Sequence, residues 1–167
     1  NPMFIEEPVL PEHSEQIPRI AETTGVTIAT GERIFTKFGF RPILQAGGVG
    51  LIQPDLSICG GLTEGKKIAA MADAYAVGIG PHNPYGPVLT AASLQLDICS
   101  PNFVIQELVS LGEGLFTQPF EQKNGCVGVP YGPGLGIEVD EEAVRAHEYV
   151  AHDVPILYNE DGSIADW

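Results

Sequence analysis

Short apolar runs alternate along the chain with stretches whose apolar residues recur every three or four positions. "MFIEE" (residues 3–7) predicts a strand that stops at Pro8, and "SEQIPRIAETTG" predicts a short helix starting near Gln16 and ending at Gly25. The pattern then repeats. "VTIAT" (26–30), "GLIQPD" (50–55), "VGIGPH" (77–82) and "FVIQEL" (103–108) read as further strands. Between them, "FRPILQAG" (40–47), "LTEGKKIAAMADAYA" (62–76) and "GPVLTAASLQLDIC" (86–99) read as helices. Because the strands are continuously apolar rather than alternating, they fit a parallel sheet buried on both faces, an α/β arrangement.

After Leu108 the character changes to glycine- and proline-rich sequence in which no helix is expected, until "DEEAVRAHEYV" predicts a helix N-capped by Asp140. The final "VPILYNEDGSIADW" reads as a surface strap anchored by Trp167. We therefore divide the chain into residues 1–110, the strand–helix unit, and 111–167, a tail that packs over it.

Composition narrows the function. No apolar run approaches the roughly 20 residues needed to cross a bilayer, so no membrane role is expected. The 8 Lys+Arg against 22 Asp+Glu leave a net charge of −14, and the basic residues are scattered. Nucleic-acid binding is thus not expected. An acidic protein repels an anionic substrate unless a cation lies between them, which makes a divalent metal worth seeking. Cys59, Cys99 and Cys126 lack ligand spacing and read as reduced thiols; with no signal segment in view, they favour the cytoplasm.

One polar residue stands at the end of each predicted strand: Glu6, Glu32, Asp55, His82 and Glu107, at intervals of 23 to 27 residues. Any one of them alone reads as a helix cap or a loop residue. Together, one per strand–helix unit, they are expected to converge on the rim where parallel α/β folds place ligands. Glu6 and Glu32, on neighbouring strands, would repel one another without a cation between them, and hard carboxylate oxygens suit Mg²⁺. Asp55 can orient His82 as a base.

"FIEEP", "ATGER", "IQPDLSICGG", "GPHNPYGP" and "FVIQE", in this order and spacing, resemble the mandelate racemase branch of the enolase superfamily, nearest to its sugar-acid dehydratases of the galactonate type. The "VPYGPGLGIEVDEE" tail shares the resemblance. It implies a partial (β/α) barrel, about the last five strands of an enolase-type TIM barrel plus a C-terminal strap. It also implies that Glu6 and Glu32 are Mg²⁺ ligands, that His82 is the base backed by Asp55, and that Glu107 hydrogen-bonds the substrate carboxylate as it becomes an enediolate. Glu7 reads as structural, and Arg33 is left open between a substrate contact and a carboxylate partner. The implied reaction is dehydration of a small-molecule sugar acid to a 2-keto-3-deoxy acid, by a cytoplasmic homo-oligomer.

The family's N-terminal capping domain, and the earlier strands with a first metal ligand and a second histidine, have no counterpart here. "NPMFIEEP" reads as the start of a cut chain, expected to bind Mg²⁺ weakly and to lack turnover by itself. The alternatives are a racemase or epimerase using the same proton abstraction, and a non-catalytic fragment.

Overall fold

Four short strands, β1 (Ile5–Glu6), β2 (Ile28–Thr30), β3 (Val49–Ile52) and β4 (Gly78–Ile79), pair in chain order into one parallel sheet. Helices α1 (Ile17–Thr24), α2 (Thr36–Ala46), α3 (Gly61–Ala74) and α4 (Pro87–Ile98) alternate with them. The computed structural model describes residues 1–151, 156–163 and 165. Parallel strands send all their C-terminal ends to one edge, so the residues that follow each strand emerge together. None of the helices among the described residues is long and apolar enough to cross a membrane.

The helix ends follow local chemistry. Gly25 adopts the left-handed φ of 63° that stops α1, and Pro18 lies in its first turn, where no backbone donor is lost. Helix α2 differs from expectation, beginning at Thr36 rather than near Phe40, which leaves Pro42 inside it. The reason is tertiary: Glu64 of α3 accepts the Lys37 backbone N–H at 3.0 Å and the Lys37 ammonium at 3.0 Å. A carboxylate from the next unit thus satisfies an orphan donor of the first turn.

The core lies between sheet and helices, where Phe40, Ile28, Ile52, Ile68, Ile79 and Leu96 are fully buried. Gly31, just after β2, shows how tight it is. A Cβ there would stand 2.6 Å from Phe40 Cε1 and 3.1 Å from the Gln53 backbone nitrogen, at a φ of +133°. Gly31→Ala is therefore expected to destabilise the chain by about 2–4 kcal/mol, read as a lowered urea midpoint.

The fifth expected strand does not form. A single parallel bridge joins Ile79 to Phe103, made by the Ile79 N–H to Asn102 C=O and Val104 N–H to Ile79 C=O bonds, each 2.9 Å. Phe103, Val104 and Ile105 are 38%, 48% and 41% exposed, so burial on both faces fails here. The segment meets β4 through this one bridge, and among the described residues no strand pairs with its other side.

The tail holds a hairpin that the sequence reading passed over, β5 (Gln122–Lys123) and β6 (Cys126–Val127), turning on Asn124 and Gly125 with φ of 54° and 76°. The Asn-Gly pair is the signal that marks such a turn. Asp140 caps α5 (Glu141–Ala146) by accepting the Ala143 N–H at 2.9 Å. The tail reaches α4 through Gln95, whose Nε2 donates to the carbonyls of Pro130 and Leu135 at 3.2 and 3.4 Å. Cys59, Cys99 and Cys126 are free thiols. The anchoring role expected of Trp167 lies outside the described residues.

Candidate active site

The register of the sheet sets the site. Glu6 ends β1; Glu32 follows β2 by two residues; Asp55 and His82 follow β3 and β4 by three each; Glu107 stands in the segment beside β4. His82 Nδ1 meets Asp55 Oδ2 at 3.0 Å. The other Asp55 oxygen accepts the Ser57 backbone N–H at 2.7 Å and the Ser57 hydroxyl at 2.6 Å. Asp55 is fully buried and cannot swing away, so the imidazole it holds has one orientation.

With Nδ1 donating to Asp55, Nε2 is left facing the rim, 3.6 Å from Glu32 Oε2 and 3.9 Å from Glu107 Oε2. Three carboxyl groups from three other units therefore meet at one imidazole. Glu6 belongs to the same rim: Gln53 Nε2 donates to its Oε1, and its charge is one of those felt by Glu32.

The electrostatics follow from this crowding. Burial is the largest influence on Glu32 and, with the charges of Glu7 and Glu6, raises its pKa against the opposing pull of His82 and Arg33. Burial would also raise Asp55, but the hydrogen bonds from His82 and Ser57 outweigh it and hold that carboxyl below its ordinary value. Burial pushes His82 down, yet the Asp55 hydrogen bond and the charges of Glu32 and Glu107 prevail and lift it above 6.5.

The stabilisation from the His82–Asp55 pair is accordingly full between pH 3.8 and 6.5, is lost as pH rises through the raised His82 value, and is lost again as pH falls through the lowered Asp55 value. In the metal-free chain the His82 ring is expected to titrate above 6.5 by NMR, and Asp55→Asn should lower the midpoint. An unmoved midpoint would show that the contact is not made in solution.

Glu7, at a φ of 41°, makes a separate set of contacts. Its Oε1 accepts the Thr30 hydroxyl at 2.6 Å and the Gly31 N–H at 2.7 Å, and its Oε2 lies 3.3 Å from Arg33 Nη2. Arg33 thus has a carboxylate partner, and Glu7 ties the end of β1 to the turn after β2. Among the described residues no three His, Cys, Asp or Glu side chains are grouped closely enough to hold a metal ion, so a metal reading rests on Glu6 and Glu32 as a pair.

Two amides were missed by sequence reasoning. Gln53 interrupts the apolar run of β3 just before Asp55, which is a signal; its Oε1 is buried and meets no donor among the described residues. Asn83 is fully buried. Its backbone N–H donates to Glu107 Oε2 at 2.7 Å, and its Nδ2 donates to the Glu107 C=O and the Thr90 hydroxyl, each at 2.9 Å. Nothing in the sequence announces partners 7 and 24 residues away.

A family profile described as Enolase C-terminal domain-like matches residues 1–143. The chain belongs to this family. D-galactonate dehydratases from Xanthomonas euvesicatoria and Cronobacter sakazakii are 44% and 45% identical to it, each over 178 aligned positions that cover 99% of this chain and 47% of the relative. The chain thus spans about half the length of the curated relatives it matches. Among solved structures, an Agrobacterium radiobacter enolase with bound Na and L-malate superimposes with a TM-score of 0.88 at 31% identity, covering 98% of this chain and 46% of that one. A mandelate racemase/muconate lactonizing enzyme from Sulfitobacter superimposes with a TM-score of 0.86 at 38% identity, covering 92% and 39%. As a member of the Enolase C-terminal domain-like family, the chain has the parallel strand–helix architecture of that family's barrels, and its own sheet is open rather than closed.

Proposed function

We propose that an intact enzyme carrying this sequence dehydrates a sugar acid of the galactonate type to a 2-keto-3-deoxy acid. The observation that carries the reading is the 3.0 Å His82–Asp55 pair, which leaves His82 Nε2 facing a rim of carboxyl groups from neighbouring units. The identity to D-galactonate dehydratases supports the substrate class.

His82 Nε2 takes the proton α to the substrate carboxylate, and Asp55 holds the ring in the tautomer that leaves Nε2 free to receive it. Charge builds on the substrate carboxylate as it becomes an enediolate. Glu107 lies beside His82, where a protonated carboxyl would donate a hydrogen bond to that charge. Loss of the β-hydroxyl as water, with one proton, gives an enol that becomes the keto acid.

The donor set fits Mg²⁺ in kind, since Glu6 and Glu32 offer carboxylate oxygens and the buried Glu32 charge lies against other carboxylates that a divalent cation would offset. Glu6 and Glu32 would hold the ion, and Mg²⁺ when bound supplies positive charge beside the substrate carboxylate.

Incubation of the intact enzyme with Mg²⁺ and a panel of hexonates and pentonates in D₂O is the test. We expect a keto acid from one of them. Exchange of the α-hydrogen with return of a diastereomer would replace this reading by a racemase or epimerase, and absence of both would sink it.

A further inference from the structure

Gln53 places an amide where packing alone would favour an apolar side chain. It directly follows β3, is only 5% exposed, and its backbone N–H donates to the Thr30 C=O at 2.9 Å, so the sheet fixes the main chain there whatever the side chain is. The side chain reaches from β3 past β2 to β1, two strands away, where its Nε2 donates to Glu6 Oε1. Its own Oε1 is buried and meets no donor among the described residues. A buried acceptor left unmet lowers stability, and an apolar side chain of the same length would avoid the loss. The fold thus keeps at this position a group that its own packing does not need.

Glu6 gains what Gln53 forgoes. Glu6 is exposed, and among the described residues no other donor reaches its carboxylate. A carboxylate on an exposed strand end turns freely; the amide fixes one of its oxygens and leaves the other open. It does so without adding charge. A lysine or arginine would orient Glu6 equally well, but would cancel the negative charge that a divalent cation needs. Turning the amide over would set its carbonyl against the carboxylate, so the contact has one orientation.

We propose that Gln53 is a positioning residue for a divalent cation held by Glu6 and Glu32: its amide N–H orients Glu6 and leaves the charge of that carboxylate available. This role rests on the Mg²⁺ site proposed for the dehydratase and assigns that site a neutral residue that does not itself bind the ion. Groups that orient a metal-binding side chain in this way govern roughly ten- to a hundredfold in metal affinity. The stability that the unmet Oε1 costs is then the counterpart of a gain in binding.

The test titrates Mn²⁺, standing in for Mg²⁺, into the metal-stripped intact enzyme carrying this sequence and reads free Mn²⁺ by electron paramagnetic resonance. The urea midpoint of each metal-free variant is measured alongside. Gln53→Met is expected to weaken Mn²⁺ binding about tenfold or more while its midpoint stays at or above that of the wild type, because the unmet oxygen is gone. Gln53→Asn keeps the amide but falls one methylene short of Glu6, and should weaken Mn²⁺ binding to a similar degree. Glu6→Ala should weaken it at least as much, and adding Gln53→Met to Glu6→Ala should cost less than about twofold more, since the amide then has nothing to orient. A lowered midpoint with unchanged Mn²⁺ affinity would make Gln53 a packing residue and overturn the proposal. Equal losses from Gln53→Met with and without Glu6 would overturn it too. If Glu6→Ala leaves Mn²⁺ affinity intact, the cation site itself fails and the proposal with it; if Glu6→Ala weakens binding and Gln53→Met does not, the role of Gln53 fails alone.

Discussion

His82→Asn in an intact enzyme carrying this sequence is expected to lower kcat by about 10³-fold or more while KM moves only a few-fold. Asparagine keeps a polar side chain of similar reach beside Asp55 but cannot take a proton, so the substitution removes the base and little else. General-base catalysis contributes roughly 10² to 10⁴ in rate, and the upper part of that range applies where the abstracted proton is weakly acidic. The variant should also lose exchange of the α-hydrogen in D₂O, which reports proton abstraction even when the later steps are slow. Asp55→Asn should cost less, about 10- to 10²-fold, because the ring survives and loses only its anchor and its raised basicity. Retention of a tenth of the activity by His82→Asn would remove His82 from the reaction.

The second large effect is on stability. Asp97→Asn is expected to make the isolated chain more stable, by an amount that grows with pH. Burial in α4, with no donor to either oxygen among the described residues, makes the native carboxyl ionise at about 8 rather than 3.8, so between these values the unfolded chain has released a proton that the folded chain still holds. The stability associated with that proton is fully present below pH 3.8 and is lost as pH rises through 8. Four pH units at about 1.4 kcal/mol each set an upper bound of about 6 kcal/mol, and relaxation around the carboxyl brings the expected gain to about 2–4 kcal/mol at pH 8. The measurement is the difference in urea unfolding free energy between variant and wild type at pH 5 and pH 8. A difference that stays flat across that interval would mean that Asp97 is solvated or paired in solution.

Local signals were legible in the sequence where local chemistry decides. Gly25 stops α1, Asp140 caps α5, and the apolar runs ending near Glu6, Thr30, Ile52 and Ile79 locate the sheet. The spacing of Glu6, Glu32, Asp55, His82 and Glu107 was legible as convergence because a parallel sheet turns a regular interval into a common edge. What escaped depends on partners supplied by other units. The start of α2 is set by Glu64, and the partners of Asn83 come from α4 and the Glu107 segment. The strand expected over residues 103–108 had the right composition, yet only Phe103 pairs with β4. Asn124-Gly125 is the opposite case, a local hairpin signal present in the sequence and passed over.

Asn83 gives the rim a property that the reacting groups alone would not have. One enclosed amide fastens the loop bearing His82 to Glu107, so the separation of the two loops is held by hydrogen bonds to both the backbone and the carboxylate of Glu107. In the proposed reaction such a brace would act as a caliper, keeping the two loops at one separation while the substrate carbons react between them.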